Sequence, residues 1–143
     1  MIGIIDKLGP NVSGYAIGQR VGVGWLAGIT YDGGFAEYMV TRAKELVLIP
    51  EELNDIEGAP LLCAGATTFD ALRNSDAYPG DVVAIQGIGG LGHLAIQYAK
   101  RMGFKTVAIS HSNDKKELAY KLGAQVFIDT QCEDVVQQLQ KLG

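Results

Sequence analysis

The chain has little of several things, and each shortage removes a class of function. Its 143 residues hold only two cysteines, Cys63 and Cys132, too few for a disulfide framework and suited to a reducing cytosol. Basic residues are outnumbered, 12 Lys and Arg against 16 Asp and Glu. The resulting net charge of −4, with a pI near 5.1, supplies no basic footprint for nucleic acid or an anionic membrane. No apolar run approaches the roughly 18 residues of a membrane span, and no basic leader precedes a shorter one. No repeat period or low-complexity tract is visible. A composition of 48% hydrophobic and 20% charged residues is that of an ordinary soluble globular protein of about one domain's size, expected in the cytoplasm.

Glycine is plentiful, at nineteen residues, and its placement organises the chain. Asp81 to Gln86 reads as an apolar strand that runs into Gly87-Ile88-Gly89-Gly90-Leu91-Gly92 and then an amphipathic helix. Gly87, Gly89 and Gly92 satisfy G-x-G-x-x-G, which carries weight only between a strand and a helix. The steric logic is threefold: a tight turn, close approach of backbone N–H groups to a pyrophosphate, and close packing of helix on strand. The helix N-terminus adds unpaired donors and a partial positive charge.

In chain order, residues 1–50 read as β-rich, with strands expected at Met1–Ile5, Arg20–Trp25, Phe35–Thr41 and Glu45–Ile49. Turns are expected at Gly9-Pro10-Asn11 and Asp32-Gly33-Gly34. Short strands between turn clusters predict a small barrel-like or sandwich unit. Residues 51–76 form a helical connection. Asn54 and Glu57 make a capping-box-like start, and Thr67–Leu72 is a second helical segment. Residues 77–143 alternate strand and helix, with strands at 82–86, Thr106–Ser110 and Val126–Ile128. The first helix presents Leu91, Leu94, Ala95, Tyr98, Ala99 and Met102 on one face and closes at Gly103. Asp114 with Glu117 is expected to cap the next helix, ending at Gly123. Val135, Val136, Leu139 and Leu142 line a last helix over 133–142. The β-α-β-α-β-α order predicts a parallel sheet, the first half of a doubly wound α/β domain.

An acidic residue about 20 positions past the glycines would hydrogen-bond the ribose 2′-hydroxyl of NAD. Here the second strand ends in Ser110, His111 and Ser112, without the acid. Hydroxyls, His111 and Lys115 or Lys116 suit a 2′-phosphate as charge-assisted donors, so NADP is favoured over NAD. The plain alternatives are a solvated helix start for the lysines, and turn or cap duty for the serines.

Four stretches together resemble the zinc-dependent medium-chain alcohol dehydrogenases, nearer the cinnamyl and aryl or alkyl branch. They are Gly22-Val23-Gly24-Trp25, Asp32 to Tyr38, Ala59 to Gly65 with Thr67-Thr68, and Gly87 to His93. The resemblance implies a partial GroES-like catalytic domain over 1–50, ahead of a Rossmann half, and NAD(P)-linked interconversion of a small-molecule alcohol with its aldehyde or ketone. It implies Cys63 as a catalytic-zinc ligand, Thr67 against the nicotinamide, and Gly89, Gly90 and Leu91 on the pyrophosphate. Relatives with Ser-x-Ser and a downstream lysine after the second strand prefer NADP. Ser110, His111, Ser112 and Lys115 are similar to that pattern, with His111 where arginine is common. Taken alone, Cys63 is as well read as a small buried hydrophobe.

The departures from the family are as informative. Its first zinc cysteine and its Gly-His-Glu would precede residue 1, and no four-cysteine lobe stands between Trp25 and Gly28. One thiolate does not make a site that needs about three protein ligands, so this chain alone is expected to bind no zinc. His93 reads as a solvated or backbone-bonded helix residue. Further strands are expected after residue 143, which would leave strand 82–86 as an edge open to self-association. The expectation is therefore an internal or truncated piece that binds nucleotide and turns over poorly or not at all. Two alternatives stand beside it: a non-catalytic nucleotide-binding or interaction module, and a zinc-independent quinone or enoyl reductase.

Overall fold

A computed structural model describes residues 1–24 and 32–142. The chain divides into two compact units, Met1–Cys63 and Ala64–Gly143. Among the described residues no helix is long and apolar enough to cross a membrane.

The first unit is built on an antiparallel sheet of order β1-β2-β3, formed by β1 (Ile2–Ile4), β2 (Arg20–Val23) and β3 (Leu46–Leu48). Gly22 faces Ile2 on one side and Val47 on the other. A Cβ there would stand 2.6 Å from the Leu62 side chain, so the glycine admits a close approach that valine would block. A helix α1 (Asp55–Pro60) follows, with Asn54 accepting from the Glu57 backbone N–H at 2.9 Å. The glutamate answers through its side chain, accepting from the Asn54 amide. The Arg20 guanidinium ties the sheet to this helix start, donating to the Pro50 and Leu53 carbonyls and to Asp55 at 3.2 Å.

Three expectations in this unit need correction. Phe35–Thr41 is no strand: residues 34–37 bend, 38–41 are irregular, and Phe35, Tyr38 and Val40 are exposed. Alternation alone does not make a strand, which is stabilised by cross-strand pairs. The turn placed at Asp32 begins as a bend at Gly34, and the strand placed at Glu45 starts one residue later, after a short 3-10 turn (Ala43–Glu45). Trp25 and the gap before Gly28 lie outside the described residues.

The second unit begins with α2 (Ala66–Arg73) and continues as β4 (Val82–Gln86), α3 (Gly92–Arg101), β5 (Lys105–Ser110), α4 (Lys116–Leu122), β6 (Val126–Asp129) and α5 (Val135–Gln140). The strands form a parallel sheet of order β4-β5-β6, so β5 is central and β4 is an edge among the described residues. This is the predicted Rossmann half, preceded by the small antiparallel sheet. Thr106 to Ile109 are all buried, as a parallel strand covered on both faces must be. One face of the sheet packs Ile85, Ala108 and Phe127 with Ile96 and Ala99 of α3. The other packs Val107, Ile109 and Ile128 with Val135 and Leu139 of α5. Phe69 of α2 meets Tyr98 of α3 edge to face, with centroids 5.9 Å apart.

Helix faces differ in detail from the sequence pattern. Ile96, absent from the expected stripe, is fully buried, whereas Leu91 is half exposed because it precedes the first helical turn. Val136 is exposed, and α5 is shorter than expected, capped by Asp134 accepting from the Val136 and Gln137 N–H groups. Asp114 does not cap α4. A 3-10 turn (Asn113–Lys115) intervenes, and the Asp114 carboxylate accepts from the Ser112 hydroxyl at 2.9 Å.

Candidate nucleotide-binding site

The site is built where the parallel strands end. The Gly87 N–H donates to the Ile109 carbonyl at 2.8 Å, extending the ladder one step past β4. Gly87 then takes φ +85°, a left-handed turn that glycine adopts without strain. Ile88 buries its side chain in the core. A Cβ built at Gly92 would overlap the Gly87 carbonyl oxygen, whereas one at Gly89 or Gly90 would meet nothing within 4 Å. The three motif glycines thus divide their duties as the steric argument requires. Gly87 turns the chain, Gly92 seats the helix, and Gly89 leaves backbone open to whatever lies above it. The His93 backbone N–H and ring Nδ1 both lie 3.1 Å from the Gly89 carbonyl, so this histidine is backbone-bonded.

The loop after β5 lies beside this turn. Ser110 ends the strand opposite Asp129, and its carbonyl accepts the Thr130 N–H at 2.9 Å. His111 is exposed, its ring nitrogens each 3.4 Å from a neighbour, Nδ1 from the Thr130 hydroxyl and Nε2 from the Gln131 amide. Lys115 reaches back 27 residues, its Nζ donating to the Ile88 carbonyl at 2.9 Å. The structure therefore brings Gly87 to Gly92, Ser110, His111, Ser112 and Lys115 to one end of one sheet, where open α/β sheets bind ligands. Thr130 and Gln131 join them and were not read from the sequence. The signal was available: parallel strands ending in register place their following loops side by side.

Cys63 and Thr67 fall in different compact units. Cys63 is exposed in a π-helical turn over Leu61–Gly65, following a proline that removes one helical N–H. Such turns are rare and recur at functional sites. Thr67 is exposed, while Thr68 is buried and donates its hydroxyl to the Ala64 and Gly65 carbonyls at 2.7 and 3.1 Å. Among the described residues no group of three His, Cys, Asp or Glu could hold a metal ion, so the donors present do not fit a catalytic zinc.

Comparison with known proteins follows the two units. The model of the alcohol dehydrogenase GroES-like domain matches residues 1–51, and that of the zinc-binding dehydrogenase matches 90–143. The alcohol dehydrogenase patD of Aspergillus clavatus is 42% identical over an alignment covering all of this chain and 43% of its own length. The chain belongs to the medium-chain alcohol dehydrogenase family. Two solved oxidoreductase structures carry the same architecture. The alcohol dehydrogenase of Aeropyrum pernix superposes with a TM-score of 0.85 at 31% identity, over 99% of this chain and 49% of that one. The quinone oxidoreductase of Escherichia coli, complexed with NADPH, gives 0.86 at 25% identity, over 99% and 43%. This member of the alcohol dehydrogenase family thus spans less than half the length of the relatives it matches.

Proposed function

We propose that the chain carries the adenine-side half of the nucleotide site of an NADP-linked alcohol dehydrogenase. The observation that carries this reading is the glycine turn, whose Gly92 is closed by packing while Gly89 and Gly90 face open space. Gly89, Gly90, Leu91 and Gly92 would hold the pyrophosphate at the start of α3, where backbone N–H groups lack helical partners. Ser110, His111, Ser112 and Lys115 would meet the ribose end, where β5 itself ends in Ser110 and the nearest acid in the loop, Asp114, accepts from the Ser112 hydroxyl. The nicotinamide supplies hydride chemistry when bound, and this chain's own residues supply binding and orientation. Thr67 is assigned to the nicotinamide side by family pattern. In the whole protein the activity would be interconversion of an alcohol with its aldehyde or ketone, in the cytoplasm. The donors among the described residues do not fit a zinc ion. The division into 1–50, 51–76 and 77–143 is proposed as catalytic-domain portion, helical connection and nucleotide-binding half.

Thermal shift with NADPH, NADH and 2′,5′-ADP tests the proposal. Saturation at 100 times Kd stabilises by about 2.7 kcal/mol. NADPH and 2′,5′-ADP are expected to raise the melting temperature and NADH less so. No shift with any of the three refutes nucleotide binding, and a larger NADH effect overturns the NADP preference.

A second reading, a zinc-independent reductase, is supported by the backbone likeness to the quinone oxidoreductase, whose TM-score of 0.86 matches the 0.85 of the alcohol dehydrogenase. In the full-length protein, NADPH oxidation that needs a quinone and ignores aldehydes would select this reading.

A further inference from the structure

Lys115 does not point into empty solvent. Its ammonium lies 2.9 Å from the Ile88 carbonyl, in the middle of the glycine turn. The 3-10 turn Asn113–Lys115 and the Ser112–Asp114 hydrogen bond shape the loop that delivers it. Ile88 is flanked by Gly87 and Gly89, the residues with the widest backbone freedom, so the intervening peptide planes are weakly held by their own sterics. A peptide unit is planar and trans: fixing the Ile88 carbonyl oxygen therefore fixes the direction of the Gly89 N–H, which points the opposite way.

We infer that Lys115 is a positioning residue of the pyrophosphate turn, holding the Ile88–Gly89 peptide in its binding orientation before nucleotide arrives. The inference rests on the nucleotide site proposed above and revises one role in it: the Lys115 ammonium serves the Ile88 carbonyl, leaving Ser110, His111 and Ser112 for the ribose end. A lysine that contacts only a 2′-phosphate discriminates between NADPH and NADH. A lysine that orients the turn serves both, because the pyrophosphate is common to them. The charge matters here, since hydrogen bonds from charged donors are the stronger class.

The test compares Lys115→Met and Lys115→Arg with the parent chain; the side chain is exposed, so neither change disturbs the core. Amide hydrogen exchange without nucleotide is the first readout. Lys115→Met is expected to speed exchange at Ile88 to Gly92 by on the order of tenfold, with Ile128 unchanged and with Lys115→Arg near the parent. Titration is the second: Lys115→Met is expected to weaken NADPH and NADH by a common factor of about ten, and Lys115→Arg to restore both. Unchanged exchange in Lys115→Met overturns the inference, as does a loss confined to NADPH. A parent chain that binds neither nucleotide refutes the proposed function, while the exchange comparison still decides the role of Lys115.

Discussion

Replacing Gly92 and Gly89 separately by alanine tests whether the glycine turn divides its labour as the structure indicates. At Gly92 the added methyl overlaps the Gly87 carbonyl oxygen and lies 3.8 Å from the Ile85 side chain. The first obstacle is backbone, which cannot rotate aside as a side-chain tip would, so α3 must move off β4. Overpacking of this kind costs about 3 kcal/mol, the upper end of its usual range. In a unit of this size that lowers the melting temperature by roughly 10–20 °C, and it displaces the helix start that would meet the phosphates. At Gly89 the methyl meets nothing, and alanine restricts the unfolded chain, adding about 0.4–1 kcal/mol of stability where its backbone angles are allowed. Gly89→Ala is therefore expected to melt at or slightly above the parent temperature, yet to bind NADPH at least about tenfold more weakly, a loss of roughly 1.4 kcal/mol. Circular-dichroism melts and isothermal titration on both variants make the comparison. If Gly92→Ala melts within two or so degrees of the parent, or Gly89→Ala binds NADPH normally, the argument from the turn's geometry fails.

Two further outcomes follow from burial and capping. Ile96→Ala empties a fully buried position on α3 against the sheet and is expected to cost about 2–5 kcal/mol in denaturant unfolding; a loss under 1 kcal/mol would place Ile96 outside the core. Asn54→Ala removes the acceptor for the Glu57 N–H and is expected to cost about 1 kcal/mol, read as a lower denaturation midpoint of the first unit, with no effect on nucleotide affinity.

The legible parts of this chain are those whose cause is local. G-x-G-x-x-G between an apolar strand and an amphipathic stripe specifies a turn because the sterics of Gly87 and Gly92 act within a few residues. Asn54 with Glu57 specifies a helix start, and Gly103 and Gly123 specify helix ends through their positive φ, all from adjacent backbone. The alternation at Phe35–Thr41 was equally local but not sufficient, because a strand needs a partner that no local pattern supplies. Sequence spacing also placed Leu91 on the buried face in preference to Ile96, since it counts periodicity and not where the first turn of α3 meets the sheet.

Residues 110–115 show the same boundary inside the candidate site. Their place after the second strand, with the family pattern, marked Ser110, His111, Ser112 and Lys115 as a ribose end without an acid where β5 stops. Only the parallel pairing of β5 with both β4 and β6 decided their neighbours, placing His111 beside Thr130 and Gln131 and Lys115 on the Ile88 carbonyl. Those partners lie 19 to 27 residues away, and what brings them together is the register of the sheet. The sequence by itself determined that a tight glycine turn would form here between strand and helix. The tertiary structure decided which side chains lie against that turn, because their proximity is a property of three strands ending side by side.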